Sequence, residues 1–299
     1  MDMDDKPTII ETWILASRPK TLPAAASPVL VGSAIAFYFN GFQFYPAMAA
    51  LLAALLLQIG ANLSNDLFDY YRGADEGERL GPTRVTQAGL LTPKQVAIGT
   101  SVVFLLAAMI GVYLVWVAGW VILVIGLTSI IAALAYTGGP FPFGYHGLGE
   151  FFVFIFFGIV AVCGTFFVQT RMMDWLVFWS SFPMGFLITA ILIVNNLRDI
   201  DTDRKAGKKT MAVRFGSNFS KIEFLSCLIA AWIVPLVLWL TQLLPMWILF
   251  AWVSIPFARP IIHQVFQWTG KPLNKTLAGT GRFTLIYALL FSLGVLLSK

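Results

Sequence analysis

Two short acidic clusters contain the residues best suited to chemistry in this chain of 299 residues. Each cluster ends a long apolar run, where a carboxylate is costly unless it binds a partner. The Asn-x-x-x-Asp pattern of Asn62 and Asp66 is repeated by Asn195 and Asp199. Two such patterns facing one cavity would form a site suited to Mg²⁺ and, through the ion, to a diphosphate. The clusters read Asn62-Leu-Ser-Asn65-Asp66-Leu-Phe-Asp69 and Asn195-Asn-Leu-Arg198-Asp199-Ile-Asp-Thr-Asp203.

Helical periodicity places the polar residues of each cluster on one helix face. Asn62, Asp66 and Asp69 are spaced i, i+4 and i+7, so they share a face. The second cluster stacks in the same way if its helix continues to Asp203. Capping of a helix end explains any single Asp here as well as a ligand does, but the repeated pattern favours a binding site between two helices.

The composition predicts that these clusters lie in a membrane protein. Hydrophobic residues make up 58% of the chain, charged residues make up 12%, and the mean hydropathy is +0.80. We therefore expect an all-α integral membrane protein with nine spans. Arg18 interrupts the first span too early for a cleaved signal peptide, and the prolines at 19, 23 and 28 should bend or delay its helix. The spans are predicted at 14–39, 46–71, 94–116, 119–137, 148–169, 175–198, 221–242, 246–266 and 282–298.

The positive charges predict the orientation of these spans. If the N-terminus is cytoplasmic, only Arg171 and Lys299 of the 20 Lys and Arg residues fall on the other side. Both acidic clusters then lie at the cytoplasmic ends of their helices. The net charge of +5 is explained by this topology and by attraction to anionic lipid, so it does not indicate nucleic-acid binding.

Basic residues near the acids are candidates to contact phosphate oxygens or an acidic aromatic substrate. Arg198 lies inside the second cluster, and Arg84 follows a Gly-Pro turn that could fold it back over the cavity. The loop after the second cluster adds Lys208 and Lys209. The remaining basic residues of this face are interpreted as solvated charges, in particular Arg79, Arg204 and Lys221.

A Gly/Pro-rich stretch after the fourth span reaches the same membrane face. Tyr136 begins it and could donate a hydrogen bond to a diphosphate or lie near a developing cation. Tyr145 is interpreted as an interfacial aromatic anchor, and Glu150 as a residue that complements the N-terminus of the next helix. The predicted substrate-binding residues are Asn62, Asn65, Arg84, Tyr136, Asn195, Arg198, Lys208 and Lys209.

These residues together resemble the UbiA superfamily of intramembrane aromatic prenyltransferases, over essentially the whole chain. The resemblance rests on two motifs, the Asn-Asp-x-x-Asp motif ending at Asp69 and the Asp-x-x-x-Asp motif ending at Asp203. Within the superfamily the chain is most similar to the 1,4-dihydroxy-2-naphthoate branch of menaquinone synthesis. The supporting stretches are Gly81-Pro-Thr-Arg84, Gly89-Leu-Leu-Thr-Pro93, Tyr136-Thr-Gly-Gly-Pro140, Tyr145-His-Gly-Leu-Gly-Glu150 and the second cluster through Lys208.

The resemblance implies one domain over residues 1–299, with nine helices around a central cavity as two related four-helix halves plus a ninth helix. It also implies a multi-pass protein of the cell (inner) membrane with cytoplasmic active-site loops. One departure is Pro140, where many relatives carry Lys. Lys208, Lys209 and Arg84 are the candidates to replace that contact to the diphosphate.

The implied reaction joins an isoprenyl diphosphate to 1,4-dihydroxy-2-naphthoate. Mg²⁺ neutralises the diphosphate, an allylic cation forms, and the ring attacks it with loss of CO₂ to give demethylmenaquinol. The implied catalytic and metal-binding residues are Asp66, Asp69, Asp199 and Asp203.

Three alternatives remain open at this stage. The acceptor could be 4-hydroxybenzoate or homogentisate, or the donor could carry a phytyl group. In a different class, the acids could form the ion site of a cation-coupled transporter. Against transport, both clusters lie at one membrane face, and transport gives no reason for the adjacent basic loops. The sequence contains no P-loop and no dinucleotide-binding glycine motif.

Overall fold

The computed structural model describes residues 7–73 and 80–299, and the regular structure in that part of the chain is entirely helical. The predicted all-α membrane architecture is confirmed: eight helical segments of the described residues are long and apolar enough to cross a bilayer, and one of them, Ile9–Tyr38, is formed by α1 and α2 together. In chain order the helices are α1 (Ile9–Ser17), α2 (Leu22–Tyr38), α3 (Phe44–Tyr71), α4 (Pro93–Ala118), α5 (Trp120–Ala135), α6 (Gly149–Thr170), α7 (Trp175–Arg198), α8 (Ile200–Lys205), α9 (Met211–Leu240), α10 (Met246–Gln267) and α11 (Leu273–Leu297).

The helix lengths modify the predicted spans in two respects. The predicted fourth span is α5, which has 16 residues and falls short of the length that the other spans reach, so length alone does not confirm the count of nine. Helix α11 begins at Leu273, well before the predicted start at 282. Helix α9 begins at Met211, but it is broken at Gly216 (φ 86°, ψ 174°), so its continuous part starts close to the predicted 221. Their first turns carry polar residues such as Arg214 and Asn274, which hydropathy does not assign to a span.

The first predicted span is broken where its prolines predicted a bend. Helix α1 ends at Arg18, which adopts the left-handed conformation with φ 52°. A 3₁₀ turn over Pro19–Thr21 follows, and α2 starts at Leu22. Because Pro19 has no N–H and fixes φ, the α-helical ladder cannot continue through it.

Asn62 of α3 holds this break together. Its side-chain amide donates to the carbonyl oxygen of Ser17 at 3.0 Å and to the hydroxyl of Thr21 at 3.0 Å. The Ser17 carbonyl is one of the groups that the end of α1 leaves without a helical partner. Asn62, predicted to bind substrate, is therefore occupied in joining α3 to the α1–α2 junction.

The buried core lies among α2, α6, α7, α9, α10 and α11. Its largest fully buried side chains come from different helices and include Phe166, Met184, Phe224 and Tyr287. Helices α4 and α5 lie outside this core and leave many apolar side chains exposed, as expected for surfaces that face lipid. Helix α3 packs along α4 and α7 packs along α9, the same adjacency in each half of the chain.

Helix α6 contains a π-helical segment over Phe154–Val160. Within it Gly158 packs against Gly185 of α7 so closely that an added Cβ would lie 2.6 Å from the Gly185 Cα atom. Such bulges frequently mark functional regions, because they change the direction in which the following side chains point. The segment lies between Glu150 at the start of α6 and the buried residues at its end.

We expect Asn62→Ala to destabilise the protein by about 1–3 kcal/mol, because the Ser17 carbonyl oxygen loses its partner inside the bundle. Thermal unfolding in detergent measures the effect as a lower midpoint. Asn218→Ala, which removes an exposed asparagine side chain of α9, is the matched control. Equal midpoints for the two variants would show that Asn62 does not stabilise the junction.

Candidate active site

Asp69, near the end of α3, is the centre of a group of donors at the end of the bundle that carries both acidic clusters. Its carboxylate is 1% exposed. It accepts hydrogen bonds from the guanidinium of Arg84 and, at 2.5 Å, from the hydroxyl of Tyr145, and the ammonium of Lys208 lies 3.5 Å away. A buried carboxylate is tolerated when it is paired in this way. Asp69 is thus held ionised by groups from three separate loops.

Asp66 holds the loop that supplies Arg84. Its carboxylate accepts the backbone N–H groups of Val85 at 2.9 Å and Thr86 at 3.3 Å. Arg84 also donates to the backbone oxygen of Asn65 at 2.5 Å, so the turn after Gly81 folds back onto α3. In this state Asp66 positions the Arg84 loop, and its predicted role as a metal ligand stays a prediction.

The second cluster is nearly continuous in helical geometry. Helix α7 ends at Arg198, and α8 begins at Ile200 after Asp199 departs from helical angles (φ −97°, ψ 10°). The N–H of Asp203 still donates to the Asp199 carbonyl at 2.7 Å. The break therefore preserves the one-turn spacing of Asp199 and Asp203 that the sequence predicts.

Lys208 is brought back to this cluster by the way α8 ends. Gly207 adopts the left-handed conformation with φ 72°, its N–H donates to the Arg204 carbonyl, and the Lys208 N–H donates to the Asp203 carbonyl at 2.9 Å. This is a Schellman motif, which favours glycine because an L side chain is strained at that φ. The turn places the Lys208 ammonium 3.6 Å from the Asp203 carboxylate.

The two acidic clusters therefore meet around one cation. Lys208 lies within 4 Å of both Asp69 and Asp203, one residue from each cluster. The ammonium occupies a position between carboxylates that suits a divalent cation, and carboxylate oxygens are the ligands that Mg²⁺ prefers. The residues thus fit Mg²⁺, although no three acidic, His or Cys side chains in the described part of the chain already form a complete ion site.

Burial raises the pKa of Asp203 to about 6. The neighbouring carboxylates of Asp199 and Asp69 contribute to this rise in pKa, whereas the Lys208 ammonium opposes it. Asp203 lies in α8, outside the apolar spans. A bound cation would lower this pKa, because it favours the ionised carboxylate.

Arg198 is 2% exposed and is bound by protein groups on all sides of its guanidinium. It pairs with Asp199 and donates to the side-chain oxygens of Asn195 at 2.9 Å and Asn274 at 2.8 Å. The Asn274 amide in turn donates to the Leu80 carbonyl at 2.6 Å. Arg198 and Asn195, predicted to bind substrate, are occupied here in orienting Asp199 and in fixing the segment before Arg84.

Two aromatic residues complete the site. Tyr145, interpreted from the sequence as an interfacial anchor, instead contacts Asp69, and the cations of Arg72 and Lys208 lie 5.1 and 4.9 Å from its ring centroid. The pKa of its phenol is raised by burial and by Asp69. The pKa of the Tyr136 phenol is raised by burial and then by the carboxylates of Glu150, Asp203 and Asp69, which places Tyr136 beside the acids as predicted.

Some predicted residues do not contact the group of side chains around Asp69. The Lys209 side chain is exposed, and its backbone N–H donates to the Tyr145 carbonyl at 2.8 Å. Arg204 pairs with Asp201 in an exposed position, and Lys221 donates to the Phe266 carbonyl, in keeping with their interpretation as peripheral charges. Arg79 lies outside the described residues.

Arg72, Tyr145 and Asn274 are the site residues that the sequence reasoning missed. Arg72 directly follows the first cluster and donates to the Gly139 carbonyl at 2.6 Å, so it places a cation beside the loop where Pro140 stands. Its position directly after the first acidic cluster, at the end of α3, could have identified it as a site residue. Asn274 lies near the start of α11, and nothing in its local sequence indicates its contacts.

Comparison with known proteins gives concordant results. A model of the UbiA prenyltransferase family matches residues 25–286. The 1,4-dihydroxy-2-naphthoate octaprenyltransferase of Mycobacterium tuberculosis is 36% identical over 93% of this chain and 94% of its own length. The protein of the same description from Escherichia coli is 36% identical over 97% and 96%. The 2-carboxy-1,4-naphthoquinone phytyltransferase of Synechocystis is 28% identical over 89% and 86%.

Solved structures share the fold. A UbiA homolog from Aeropyrum pernix in its apo form superimposes with a TM-score of 0.68, covering 98% of this chain and 99% of its own at 13% identity. A UbiA homolog from Archaeoglobus fulgidus bound to GPP and Mg²⁺ gives 0.63, covering 95% and 99% at 15% identity.

We expect Lys208→Met to increase the response of the protein to Mg²⁺. The wild-type ammonium competes with the ion for Asp69 and Asp203. Its removal leaves Asp203 without that cation and Asp69 with Arg84 alone, and Mg²⁺ can relieve this excess of negative charge. The rise in unfolding midpoint on adding Mg²⁺ should be at least about twofold larger than in wild type. Lys209→Met, the exposed neighbour, is the control, and an equal rise in all three proteins would contradict a cation site between the clusters.

We expect the affinity for Mg²⁺ to fall as the pH falls through about 6. Below the pKa of Asp203 its carboxyl is protonated and must lose the proton to bind the ion, whereas above it no proton is released. The apparent dissociation constant, measured by calorimetry, should rise about tenfold from pH 7 to pH 5. The Asp203→Asn variant should bind Mg²⁺ more weakly, and its dissociation constant should not change with pH over that range. A dissociation constant of the wild-type protein that is likewise independent of pH would refute this role of Asp203.

Proposed function

Since the chain belongs to the UbiA prenyltransferase family, we propose that it transfers a polyprenyl group from an isoprenyl diphosphate to 1,4-dihydroxy-2-naphthoate. The products are pyrophosphate, CO₂ and demethylmenaquinol. The observation that carries this proposal is the meeting of the two acidic clusters around one cation position at Lys208. Buried carboxylates paired with cations at the end of an apolar bundle are suited to a substrate with a diphosphate head and an apolar tail.

The choice of acceptor and donor rests on the relatives. The two at 36% identity are described as 1,4-dihydroxy-2-naphthoate octaprenyltransferases, which supports a naphthoate acceptor and a long prenyl tail. The phytyltransferase of Synechocystis, at 28% identity, keeps a phytyl donor as the second candidate. Nothing in the comparisons supports the transporter alternative.

Diphosphate binding begins with an exchange of partners at Asp69 and Asp203. Arg84 and Lys208 neutralise these carboxylates in the ligand-free state. When Mg²⁺ is bound, it neutralises the diphosphate and stabilises the pyrophosphate that leaves. Asp69 and Asp203 would hold the ion, with Asp66 and Asp199 as the further ligands that the family motifs imply. Arg84 and Lys208 are then free to turn to the phosphate oxygens, which bind guanidinium and ammonium groups strongly.

The surroundings of the reacting carbon exclude water. Asp66, Asp69 and Asp203 are all buried, and the phenols of Tyr136 and Tyr145 lie beside these acids. An allylic cation survives only where water cannot capture it, and aromatic faces stabilise a positive charge. The ring of the acceptor then attacks the cation, and the ring carboxylate leaves as CO₂, so no external oxidant or reductant is needed.

An apolar groove of about 510 Å³ between α1, α3 and α4 offers a path for the tail. Its wall includes Leu63, one turn from Asp66 on α3, and Trp13, whose indole packs on Gly99. Its lining includes the exposed apolar side chains of Ile98 and Val102, which suits a substrate that enters from the bilayer.

The location and organisation of the protein belong to the same proposal. The chain is a multi-pass membrane protein. We assign it to the cell (inner) membrane as one domain over residues 1–299, with its N-terminus and active-site loops in the cytoplasm. The distribution of Lys and Arg supports this orientation.

We expect Asp199→Asn and Asp203→Asn to lower kcat/KM at least about 100-fold, because each removes a charge that the site uses to bind the ion and its diphosphate. Asp201→Asn changes an exposed acid between them and should stay within about twofold of wild type. Release of pyrophosphate from geranylgeranyl diphosphate, with Mg²⁺ and 1,4-dihydroxy-2-naphthoate in nanodiscs, measures the rate. A comparable loss in all three variants would show that the second cluster is not a specific site.

The same assay identifies the acceptor. Prenylated naphthoquinol with CO₂ is the expected product, and 4-hydroxybenzoate should give none. Phytyl diphosphate tests the second donor. No product from either acceptor, with cation binding intact, would overturn the prenyltransferase assignment.

A further inference from the structure

Glu150 is a partly buried acid beside the site that the mechanism above does not use. It is the second residue of α6 and follows the Tyr136–Gly149 stretch. Its Oε1 atom accepts a hydrogen bond from the Asn196 amide at 2.8 Å. Asn196 is 6% exposed and adjoins Asn195 of the second cluster. Glu150 is therefore fixed to the same helix end that carries Asp199.

The other carboxylate oxygen of Glu150 is buried and incompletely bonded. The carboxylate lies near the backbone N–H of its own residue, and Oε2 has no hydrogen-bond partner in the described part of the chain. A carboxylate oxygen in a buried position normally receives a donor, so Oε2 is left available to a donor group of a ligand. Because Oε2 is closed to solvent, that group must be delivered by a ligand that displaces neighbouring side chains.

Glu150 is separate from the cation-binding part of the site. The basic side chains there are paired with aspartates: Arg84 and Lys208 with Asp69, and Arg198 with Asp199. Tyr136 is close to both regions, since Glu150, Asp203 and Asp69 all act on its phenol. Gly149 permits this approach, because an added Cβ would be 3.1 Å from the Tyr136 hydroxyl. The site thus has one side that suits an ion and a diphosphate. Near Tyr136 it has a second side, where Oε2 of Glu150 is a free hydrogen-bond acceptor.

We propose that Glu150 binds a hydroxyl group of the aromatic acceptor through Oε2. This inference rests on the proposed function. An ionised carboxylate accepts a phenolic O–H strongly and repels the acceptor's own carboxylate. It therefore orients the ring with its carboxylate toward the cations and a hydroxyl toward α6. In 1,4-dihydroxy-2-naphthoate the 1-hydroxyl is hydrogen-bonded to the adjacent carboxylate, so the 4-hydroxyl is the group with a free donor.

The test compares Glu150→Gln with Glu223→Gln in the full-length protein in nanodiscs. Glutamine at position 150 keeps the Oε1 acceptor for Asn196 and replaces Oε2 by a donor. Glu223 of α9 is the matched control, because its Oε2 is likewise buried without a partner in the described residues, and it lies near Glu150 but outside the site. The probes are 1,4-dihydroxy-2-naphthoate and 1-hydroxy-2-naphthoate, which lacks the 4-hydroxyl.

For Glu150→Gln we expect kcat/KM for 1,4-dihydroxy-2-naphthoate to fall about tenfold or more, with KM for geranylgeranyl diphosphate and for Mg²⁺ within about twofold of wild type. The preference of the enzyme for the dihydroxy over the monohydroxy acceptor should shrink by the same factor. Taking this preference as a ratio removes the electronic effect of the lost hydroxyl on the ring. Glu223→Gln should match wild type throughout.

Several results would overturn the role of Glu150. These are an unchanged acceptor preference in Glu150→Gln, an equal loss toward donor and acceptor, or the same loss in Glu223→Gln. Failure of the proposed function is distinguishable, because wild-type protein would then prenylate neither naphthoate.

Discussion

The structure depends on the neutralisation of carboxylates buried at one end of an apolar bundle. Asp66, Asp69 and Asp203 are each less than 10% exposed. An unpaired charge at such a depth costs several kcal/mol, so every one of them must be given a donor by some other part of the chain. The donors come from loops that are distant in sequence, and the charge requirement therefore determines how those loops fold.

The loop conformations follow from this requirement together with a few backbone constraints. Asp66 binds the backbone N–H groups of the 84–88 turn, which places the Arg84 guanidinium on Asp69. Gly207 allows α8 to end in a left-handed turn, which returns Lys208 to Asp203. The break at Pro19 is sealed by Asn62 from the same helix that presents the first cluster. The helix ends are thus the parts of the fold that determine the chemistry.

The sequence predicted the membrane class, the helical spans and the two acidic clusters because these features are local. Hydropathy reports a span within about 20 residues, and the i, i+4 spacing reports a helix face. Arg84 was also predicted, since the Gly-Pro turn before it indicated a reversal of the chain. Lys208 was predicted as a basic loop residue that could replace the diphosphate contact missing at Pro140. Tyr145 was misread because an aromatic residue at an interface resembles an anchor whether or not it has a partner. The contacts of Asn62 and Asn274 join positions far apart in the chain, so no local pattern could reveal them.

The π-helical segment of α6 determines which way the start of that helix faces. A π-bulge is one residue inserted into an α-helix, and each residue of an α-helix turns by about 100°. The two ends of α6 are therefore out of phase with a continuous α-helix, which lets the first turn face Asn196 while the last turns pack on α2. Relatives that lack this insertion would present a different side chain at the position of Glu150. A change of one residue in the length of the π-helical segment would therefore change which side chain the first turn of α6 directs toward Asn196.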